Sequence, residues 1–144
     1  MTKPTQAIQH QTTIADIMSH LGQTHALMHK QGLPTKLSHL IELRISQINE
    51  CAYCVKMHSG DARKDGETDK RLDRLAVWSH VSDFSDAEKA AFAWAEALTR
   101  LDRDTDFAAL RARLRAHYSD EMISLITTCV SMINLWNRVQ ISNH

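Results

Sequence analysis

Two cysteines and a histidine stand close together near the middle of the chain, at Cys51, Cys54 and His58. On an α-helix, residues three and four positions apart are neighbours, so these side chains would form one stripe. The spacing of the two cysteines near a helix start also allows a disulfide to close with modest adjustment. In a reducing compartment, a Cys-x-x-Cys pair is typical of redox chemistry or metal binding. The segment therefore predicts a reactive thiol site.

The two thiols are not equivalent if this segment is helical. His58 is one turn from Cys54 but two turns, about 10 Å, from Cys51, so only Cys54 has a neighbouring base. Because the thiolate is the nucleophile, an imidazole that takes the proton activates the cysteine. The helix N-terminus favours a thiolate at Cys51, whereas the adjacent Glu50 opposes one there. We expect Cys54 to attack first and Cys51 to resolve the intermediate.

Two other interpretations of the cysteine pair stay open. Cys51, Cys54 and His58 could form part of a zinc site. Neither a second Cys-x-x-Cys pair nor a His-x-x-x-His pair follows, however, so another ligand such as His39 would be needed. The cysteines could also be unconnected core residues. We favour the redox interpretation over both.

Three further residues have types that could do chemistry. His25 and His29 form an i,i+4 pair that could bind a metal, but no third ligand accompanies them. We therefore predict that this pair lies on a solvated helix face. Cys129 lies in an apolar helical run, and free cysteine is among the most buried residue types, so we expect it in the core.

The elements that must position these residues are predicted to be helices. Apolar residues recur at helical spacing over residues 14–32, where Gly32 ends the first helix. A second helix is predicted over residues 34–48, and Asn49 is predicted to be the N-cap of a third helix that carries the cysteines to about Lys64. Four later helices are predicted to begin at hydroxyl or carboxylate N-caps, namely Thr68, Ser85, Asp106 and Ser119.

Length and composition limit the class of protein. At about 100–200 residues per domain, 144 residues make one domain. The chain has few glycines and prolines and no useful alternating apolar stretch, so a β fold is disfavoured. We predict an all-α, single-domain protein of six to eight helices over residues 13–144, preceded by a flexible arm over residues 1–12. The helices over residues 84–136 carry apolar side chains that could be ordinary core or a subunit contact, namely Phe92, Trp94, Met122, Met132 and Trp136.

Charge and hydropathy exclude several functions. Seventeen basic side chains balance seventeen acidic ones, so the electrostatic signature of a nucleic-acid-binding or membrane-surface protein is absent. No apolar stretch approaches the roughly 18–20 residues that span a bilayer. The N-terminal residues lack the apolar core of a signal peptide, and we expect a cytoplasmic location with neither nucleic acid nor membrane as a partner.

The motif and its surroundings resemble a known family. The stretch LIELRISQINECAYC at residues 40–54, followed by His58 and Asp-Ala-Arg at residues 61–63, is similar to the alkyl hydroperoxidase D (AhpD)-like core of the carboxymuconolactone decarboxylase superfamily. The resemblance extends to residues 91–99 and 133–138 and covers most of the chain from about residue 14.

This resemblance implies a function and a set of roles. It implies an all-helical fold, assembly into homo-oligomers such as trimers or hexamers, and thiol-dependent reduction of a hydroperoxide substrate. By position, Cys54 matches the peroxidatic cysteine, Cys51 the resolving cysteine and His58 the histidine of a proton relay. The implied reductant is a dithiol, either a lipoyl-bearing or a thioredoxin-like protein, and the chemistry requires no metal, haem or flavin.

One position departs from the family pattern. Well-characterised peroxidases of this family have a glutamate twelve residues before the first cysteine, where this chain has His39. A histidine can relay protons near neutral pH, and Glu42, one turn later, could substitute for the missing glutamate or orient His39. A purely structural His39 is an equally good interpretation.

The leading hypothesis is therefore an antioxidant thiol peroxidase. Cys54 would be oxidised by the peroxide, Cys51 would close the disulfide, and His58 with His39 would manage the protons. The alternatives are a decarboxylase of the carboxymuconolactone type, which does not rely on a Cys-x-x-Cys pair, and a redox-responsive oligomer that does not turn over peroxide.

Overall fold

The computed structural model describes all 144 residues, and its regular structure is entirely helical. One 3-10 helix, Leu75–His80, follows α5. The eight α-helices are α1 (His10–Thr13), α2 (Ala15–Lys30), α3 (Thr35–Ile48), α4 (Ala52–Lys64), α5 (Asp69–Arg74), α6 (Asp86–Arg100), α7 (Phe107–Arg115) and α8 (Asp120–Ile141). The prediction of an all-α chain with six to eight helices is thus confirmed. None of these helices is both long and apolar enough to cross a bilayer.

Helix α3 lies at the centre of the fold and packs against α4, α6 and α8. Its apolar residues are almost fully buried, which is expected of a helix that is covered on several sides. The most buried of them are Leu40, Ile41, Leu43 and Ile45. The same helix also buries the carboxylate of Glu42 and the hydroxyl of Ser46. Because buried polar groups need partners, these two positions indicate that polar groups from other elements lie close to α3.

The predicted helix starts are confirmed at four N-caps. The Thr68 hydroxyl accepts from the backbone N–H of Arg71, and Ser85 and Glu88 form a reciprocal capping box at the start of α6. Asp106 and Ser119 cap α7 and α8 in the same way. The helix that follows Thr68 is short: it ends as an α-helix at Arg74 and continues as the 3-10 segment.

The junction between α3 and α4 corrects one prediction. Asn49 is not the N-cap of α4 but the C-cap of α3, with its backbone N–H still bonded to the carbonyl of Ile45 at 2.9 Å. Glu50 then adopts a left-handed conformation with φ of 56°, and Cys51 becomes the N-cap. The Asn49 side chain is engaged with α8 instead of the start of α4, and donates to Asn134 and Asn137 at 3.0 Å each.

The first residues are attached to the other end of the chain. The predicted flexible arm contains the short helix α1, and the backbone N–H of Ile8 donates to the side chain of Asn143 at 2.9 Å. The Asn143 amide returns a bond to the carbonyl of Ile8, and His10 Nε2 lies 2.9 Å from the hydroxyl of Ser142. These contacts hold the N-terminal segment beside the end of α8.

The apolar side chains over residues 84–136 mostly form the core. Phe92, Trp94 and Met132 are all at least nine-tenths buried within the chain itself. Met122 and Trp136 are partly buried and pack against the same core. This set therefore has an explanation within one chain and does not by itself indicate a subunit contact.

Candidate active site

The two cysteines at the start of α4 are joined by a disulfide. Their Cα atoms are 5.3 Å apart, within the range that a disulfide requires. Cys51 is the N-cap and its sulfur accepts from the backbone N–H of Cys54 at 3.4 Å, so the pair closes over the first turn. Both side chains are almost fully buried, but Cys54 alone contributes to the wall of a cavity. The expected placement of both sulfurs on one helical edge is confirmed.

A buried carboxylate lies beneath this turn and is surrounded by imidazoles. Glu42, on α3, is only 3% exposed, and its Oε2 lies 3.1 Å from Nδ1 of His58 on α4. Its Oε1 lies 3.5 Å from Nε2 of His25 on α2. The third imidazole is that of His39, one turn earlier on α3, with Nδ1 at 3.8 Å from Oε2. Three helices thus bring three histidines to one carboxylate.

Glu42 is the negative charge of the site. Burial opposes its charged form, but the neighbouring imidazoles of His39, His58 and His25 outweigh burial and hold the pKa of Glu42 at about 2. The carboxylate is therefore ionised at neutral pH. Because an uncompensated charge in a protein interior is very unfavourable, the three imidazoles are the groups that make this placement stable.

His39 is connected to the surface as well as to the carboxylate. Its Nε2 lies 2.6 Å from Oδ2 of Asp65, at the C-terminal end of α4. Glu42 raises the pKa of His39, burial opposes this, and Asp65 adds to the increase. His39 does not line the cavity that Cys54 reaches. At the position where the family has its glutamate, this chain therefore places an imidazole behind the carboxylate, and Glu42 supplies the carboxylate beside His58.

The prediction that His25 lies on a solvated helix face is wrong. Its side chain is 35% exposed and faces Glu42, and burial lowers its pKa while Glu42 opposes the decrease. His29 packs edge-on against His25 with ring centroids 5.0 Å apart. The sequence did contain the signal, because His25 falls at the helical spacing of the apolar residues that face the core, as Met18 and Met28 do.

Cys129 also reaches this site, which its predicted burial alone did not reveal. It is 1% exposed on α8, and its thiol donates to Oε1 of Glu42 at a sulfur–oxygen distance of 3.8 Å. Burial, together with the nearby negative charge of Glu42, raises the pKa of Cys129 well above its usual value. A thiol that stays protonated is a poor nucleophile, so Cys129 is a neighbour of the carboxylate rather than a third redox cysteine.

A cavity of about 310 Å³ opens onto these groups. Its lining includes the chemically reactive residues Cys54, His58, Glu42 and His25. It also includes apolar and aromatic residues, namely Tyr53 and Met57 of α4 and Ile133 and Trp136 of α8. The cavity therefore combines ionisable groups with apolar surface, as sites for small organic molecules commonly do.

The groups with metal-ligating atoms are the histidines and Glu42 rather than the cysteines. The two sulfurs of Cys51 and Cys54 are bonded to each other, so the structure does not present them as two free ligands. Ligand atoms of His39, Glu42 and His58 lie within 4.8 Å of one another.

Fold and site together define an all-helical protein with a disulfide-bonded Cys-x-x-Cys pair beside a histidine–carboxylate cluster. The model of the carboxymuconolactone decarboxylase family matches residues 15–97, more than half of the chain, so the chain belongs to that family. It is 39% identical over 103 residues to YdfG, an uncharacterized protein of Bacillus subtilis (strain 168). This match covers 72% of the chain and 70% of YdfG.

Solved structures place the chain in the AhpD-like branch of this superfamily. A protein of unknown function from Agrobacterium tumefaciens, ATU0492, named as a candidate antioxidant defence protein AhpD, superposes with a TM-score of 0.88 at 31% identity, over 94% of this chain and 93% of that one. The debrominase Bmp8, solved with 2,3,4-tribromopyrrole, superposes with a TM-score of 0.81 over 99% of this chain and 90% of its own. At 16% identity, Bmp8 shares the fold.

Proposed function

We propose that this protein is a thiol-dependent hydroperoxidase with an antioxidant role. The observation that carries the proposal is the position of Cys54, whose side chain lines the cavity beside His58 and Glu42, while its disulfide partner Cys51 does not line it. A peroxide that enters the cavity meets one sulfur first. The Cα atoms of the two cysteines are 5.3 Å apart, a backbone separation that accommodates a disulfide between them.

The reaction begins with the reduced cysteines. The thiolate of Cys54 attacks one oxygen of the hydroperoxide, an S–O bond forms and the O–O bond breaks, and the alkoxide leaves and takes a proton to become an alcohol. The sulfur is then a sulfenic acid. The thiol of Cys51 attacks that sulfur, the S–S bond forms, and the hydroxyl leaves as water with the proton of Cys51. An external dithiol reduces the disulfide and restores both thiols.

His58 and Glu42 supply the proton chemistry. Because the ionised carboxylate of Glu42 lies 3.1 Å from Nδ1 of His58, it favours the tautomer with the proton on Nδ1. Nε2 then has a free lone pair, and in this structure it makes no hydrogen bond. We assign Nε2 as the acceptor of the proton from Cys54 and, later, as the donor to the leaving alkoxide.

His25 and His39 act around this pair rather than on the sulfur. His25 reaches the cavity and lies 3.5 Å from Glu42, so it connects the carboxylate to the substrate side. His39 contacts Glu42 from behind and is anchored by Asp65. We assign His39 to positioning the carboxylate, and the proposal needs no direct transfer between His39 and Cys54.

The reductant and the assembly complete the proposal. A lipoyl-bearing or thioredoxin-like dithiol is the proposed electron donor, and the active form is proposed to be a trimer or a hexamer in keeping with the family resemblance. Light scattering coupled to size-exclusion chromatography tests the assembly, because a mass of one chain, 16.4 kDa, would exclude both oligomers.

The test of the function is peroxide consumption with dihydrolipoamide as reductant. We expect Cys54→Ser to abolish turnover. Cys51→Ser should still reduce about one equivalent of peroxide and accumulate a sulfenic acid that reacts with dimedone. Cys129→Ser is the matched control, since it leaves the disulfide pair intact and keeps a hydrogen-bond donor towards Glu42, and it should retain turnover. Equal rates for wild type and Cys54→Ser would reject the mechanism.

A further inference from the structure

Three ligand atoms converge in the interior, and the two nitrogens among them lack a hydrogen-bond partner. Nδ1 of His39, Oε2 of Glu42 and Nδ1 of His58 belong to a cluster whose ligand atoms all lie within 4.8 Å of one another. The oxygen is 3.8 Å from the first nitrogen and 3.1 Å from the second. Both nitrogens are buried and neither makes a hydrogen bond of acceptable geometry. Buried polar atoms without partners are uncommon in folded proteins, so this set calls for an occupant.

The contacts of His39 define what its free nitrogen presents. Nε2 of His39 lies 2.6 Å from a carboxylate oxygen of Asp65, so the ring proton is held on Nε2. In the neutral ring, Nδ1 then points a lone pair towards the carboxylate of Glu42. Two electron-rich groups face each other there, and Nδ1 of His58 lies 3.1 Å from the same carboxylate oxygen. A cation between the three would turn this unfavourable arrangement into a favourable one.

The geometry points to a site for a divalent transition metal of the Zn²⁺ type, held by His39, Glu42 and His58. Tetrahedral zinc with ligands at about 2.0–2.1 Å keeps its ligand atoms roughly 3.3 Å apart. The two oxygen–nitrogen separations, 3.1 and 3.8 Å, lie on either side of that value, so small side-chain movements would suffice. Two imidazoles and one carboxylate suit Zn²⁺ rather than Mg²⁺ or Ca²⁺, which prefer oxygen ligands.

Two neighbouring features fit such a site. Asp65 accepts from the far nitrogen of His39, and a carboxylate in that place orients a metal-binding histidine and increases its basicity. Glu42 and His58 also line the cavity, which provides an entry path and a side from which a fourth ligand can approach. The single negative charge of Glu42 would be offset by the cation.

Metal binding would act on the thiol chemistry proposed above, although the site itself does not depend on it. A neutral imidazole that binds zinc through Nδ1 carries its proton on Nε2. His58 would then be unable to accept the proton of Cys54. We therefore expect Zn²⁺ to inhibit peroxide turnover, so that the same cluster serves as a relay without metal and as an inhibitory site with metal.

The site can be tested by direct binding to the disulfide form of the protein, in which Cys51 and Cys54 cannot act as thiolate ligands. The chelator-treated protein is titrated with ZnCl₂ in a calorimeter, with MgCl₂ as the comparison. We expect one saturable Zn²⁺ site per chain and no Mg²⁺ binding. His39→Gln should weaken Zn²⁺ binding at least 100-fold, and Asp65→Asn should weaken it about 10-fold.

Controls separate this site from surface histidines and from loss of folding. His20→Gln, at an exposed position of α2, should bind zinc as the wild type does. Asp65 is 45% exposed at its side chain, so Asp65→Asn removes the outer partner without opening the core. No saturable binding, or equal affinity in wild type, His39→Gln and Asp65→Asn, would overturn the proposal. Because binding is measured without peroxide, failure of the hydroperoxidase assay would leave this result unaffected.

Discussion

Replacing Glu42 with glutamine tests the electrostatic centre of the site. The substitution keeps the shape of the side chain and removes its charge. In the folded protein the pKa of Glu42 is about 2, compared with an ordinary value of 4.5, because the opposing effect of burial is outweighed by the neighbouring imidazoles of His39, His58 and His25. That difference corresponds to about 3 kcal/mol of stability at neutral pH, at about 1.4 kcal/mol for each pH unit.

The sign of the pH dependence follows from the direction of this change. A carboxylate whose pKa is lower in the folded state stabilises the protein above its unfolded pKa of 4.5, and the stabilisation is lost as the pH falls towards 2. Of the total, about 2 kcal/mol should disappear between pH 6 and pH 3. We therefore expect Glu42→Gln to lower the free energy of unfolding by about 3 kcal/mol at pH 7 and by only about 1 kcal/mol at pH 3.

Urea denaturation of metal-free, disulfide-bonded protein measures this directly. Wild type and variant are compared at several pH values and at one protein concentration, since any assembly would make stability depend on concentration. Glu121→Gln, an exposed glutamate of α8, is the matched control, and we expect it to change stability by less than about 0.5 kcal/mol. Parallel pH profiles for wild type and Glu42→Gln would refute the argument that Glu42 is held ionised by the three imidazoles.

Three further predictions concern other parts of the site. In the reduced native protein at neutral pH, iodoacetamide should modify Cys54 but leave Cys129 intact, because burial and Glu42 raise the pKa of the Cys129 thiol. Mass spectrometry of the labelled peptides measures the modification of each cysteine. Rapid labelling of Cys129 would contradict the prediction. Trp136→Ala should raise KM for an aryl hydroperoxide about 10-fold and leave KM for hydrogen peroxide nearly unchanged, because Trp136 lines the cavity. Equal increases in KM for both substrates would argue against this role. Glu50→Gly should raise Tm by about 2–4 °C, because glycine relieves the left-handed backbone at φ of 56°; a lower Tm in thermal denaturation would show that the Glu50 side chain contributes contacts of its own.

Local patterns in the sequence were sufficient for most of the helices. The Ser85 capping box, the Asp106 and Ser119 caps and the glycine at residue 32 each depend on neighbours within about four positions, and the structure has them as predicted. The exception at Asn49 is informative. Its side chain makes hydrogen bonds to α8, more than eighty residues away in the chain. A rule that considers only neighbouring residues does not include such a contact.

The candidate site shows the same difference between contacts within one helix and contacts between helices. The Cys-x-x-Cys pair and His58 share one helix, so spacing alone predicted that they would lie together. Glu42 was named from its position as a residue that could substitute for the family glutamate or orient His39, but its meeting with His25 and Cys129 could not be predicted from spacing. These three residues come from α2, α3 and α8, and their approach to within 3.5–3.8 Å depends on how those helices pack.

The sequence by itself determined an all-helical chain, most of its helix caps and a thiol pair with a histidine one turn away, because those features arise from hydrogen bonds and side-chain contacts over a few residues. Only the tertiary structure decided which carboxylate faces that histidine. His39 stands where the family resemblance placed a glutamate, yet the packing of α3 against α4 brings Glu42 to His58 instead. The physical reason is that a buried charge needs compensating groups, which here come from several helices. The spacing of residues along the chain does not show which groups from different helices come into contact.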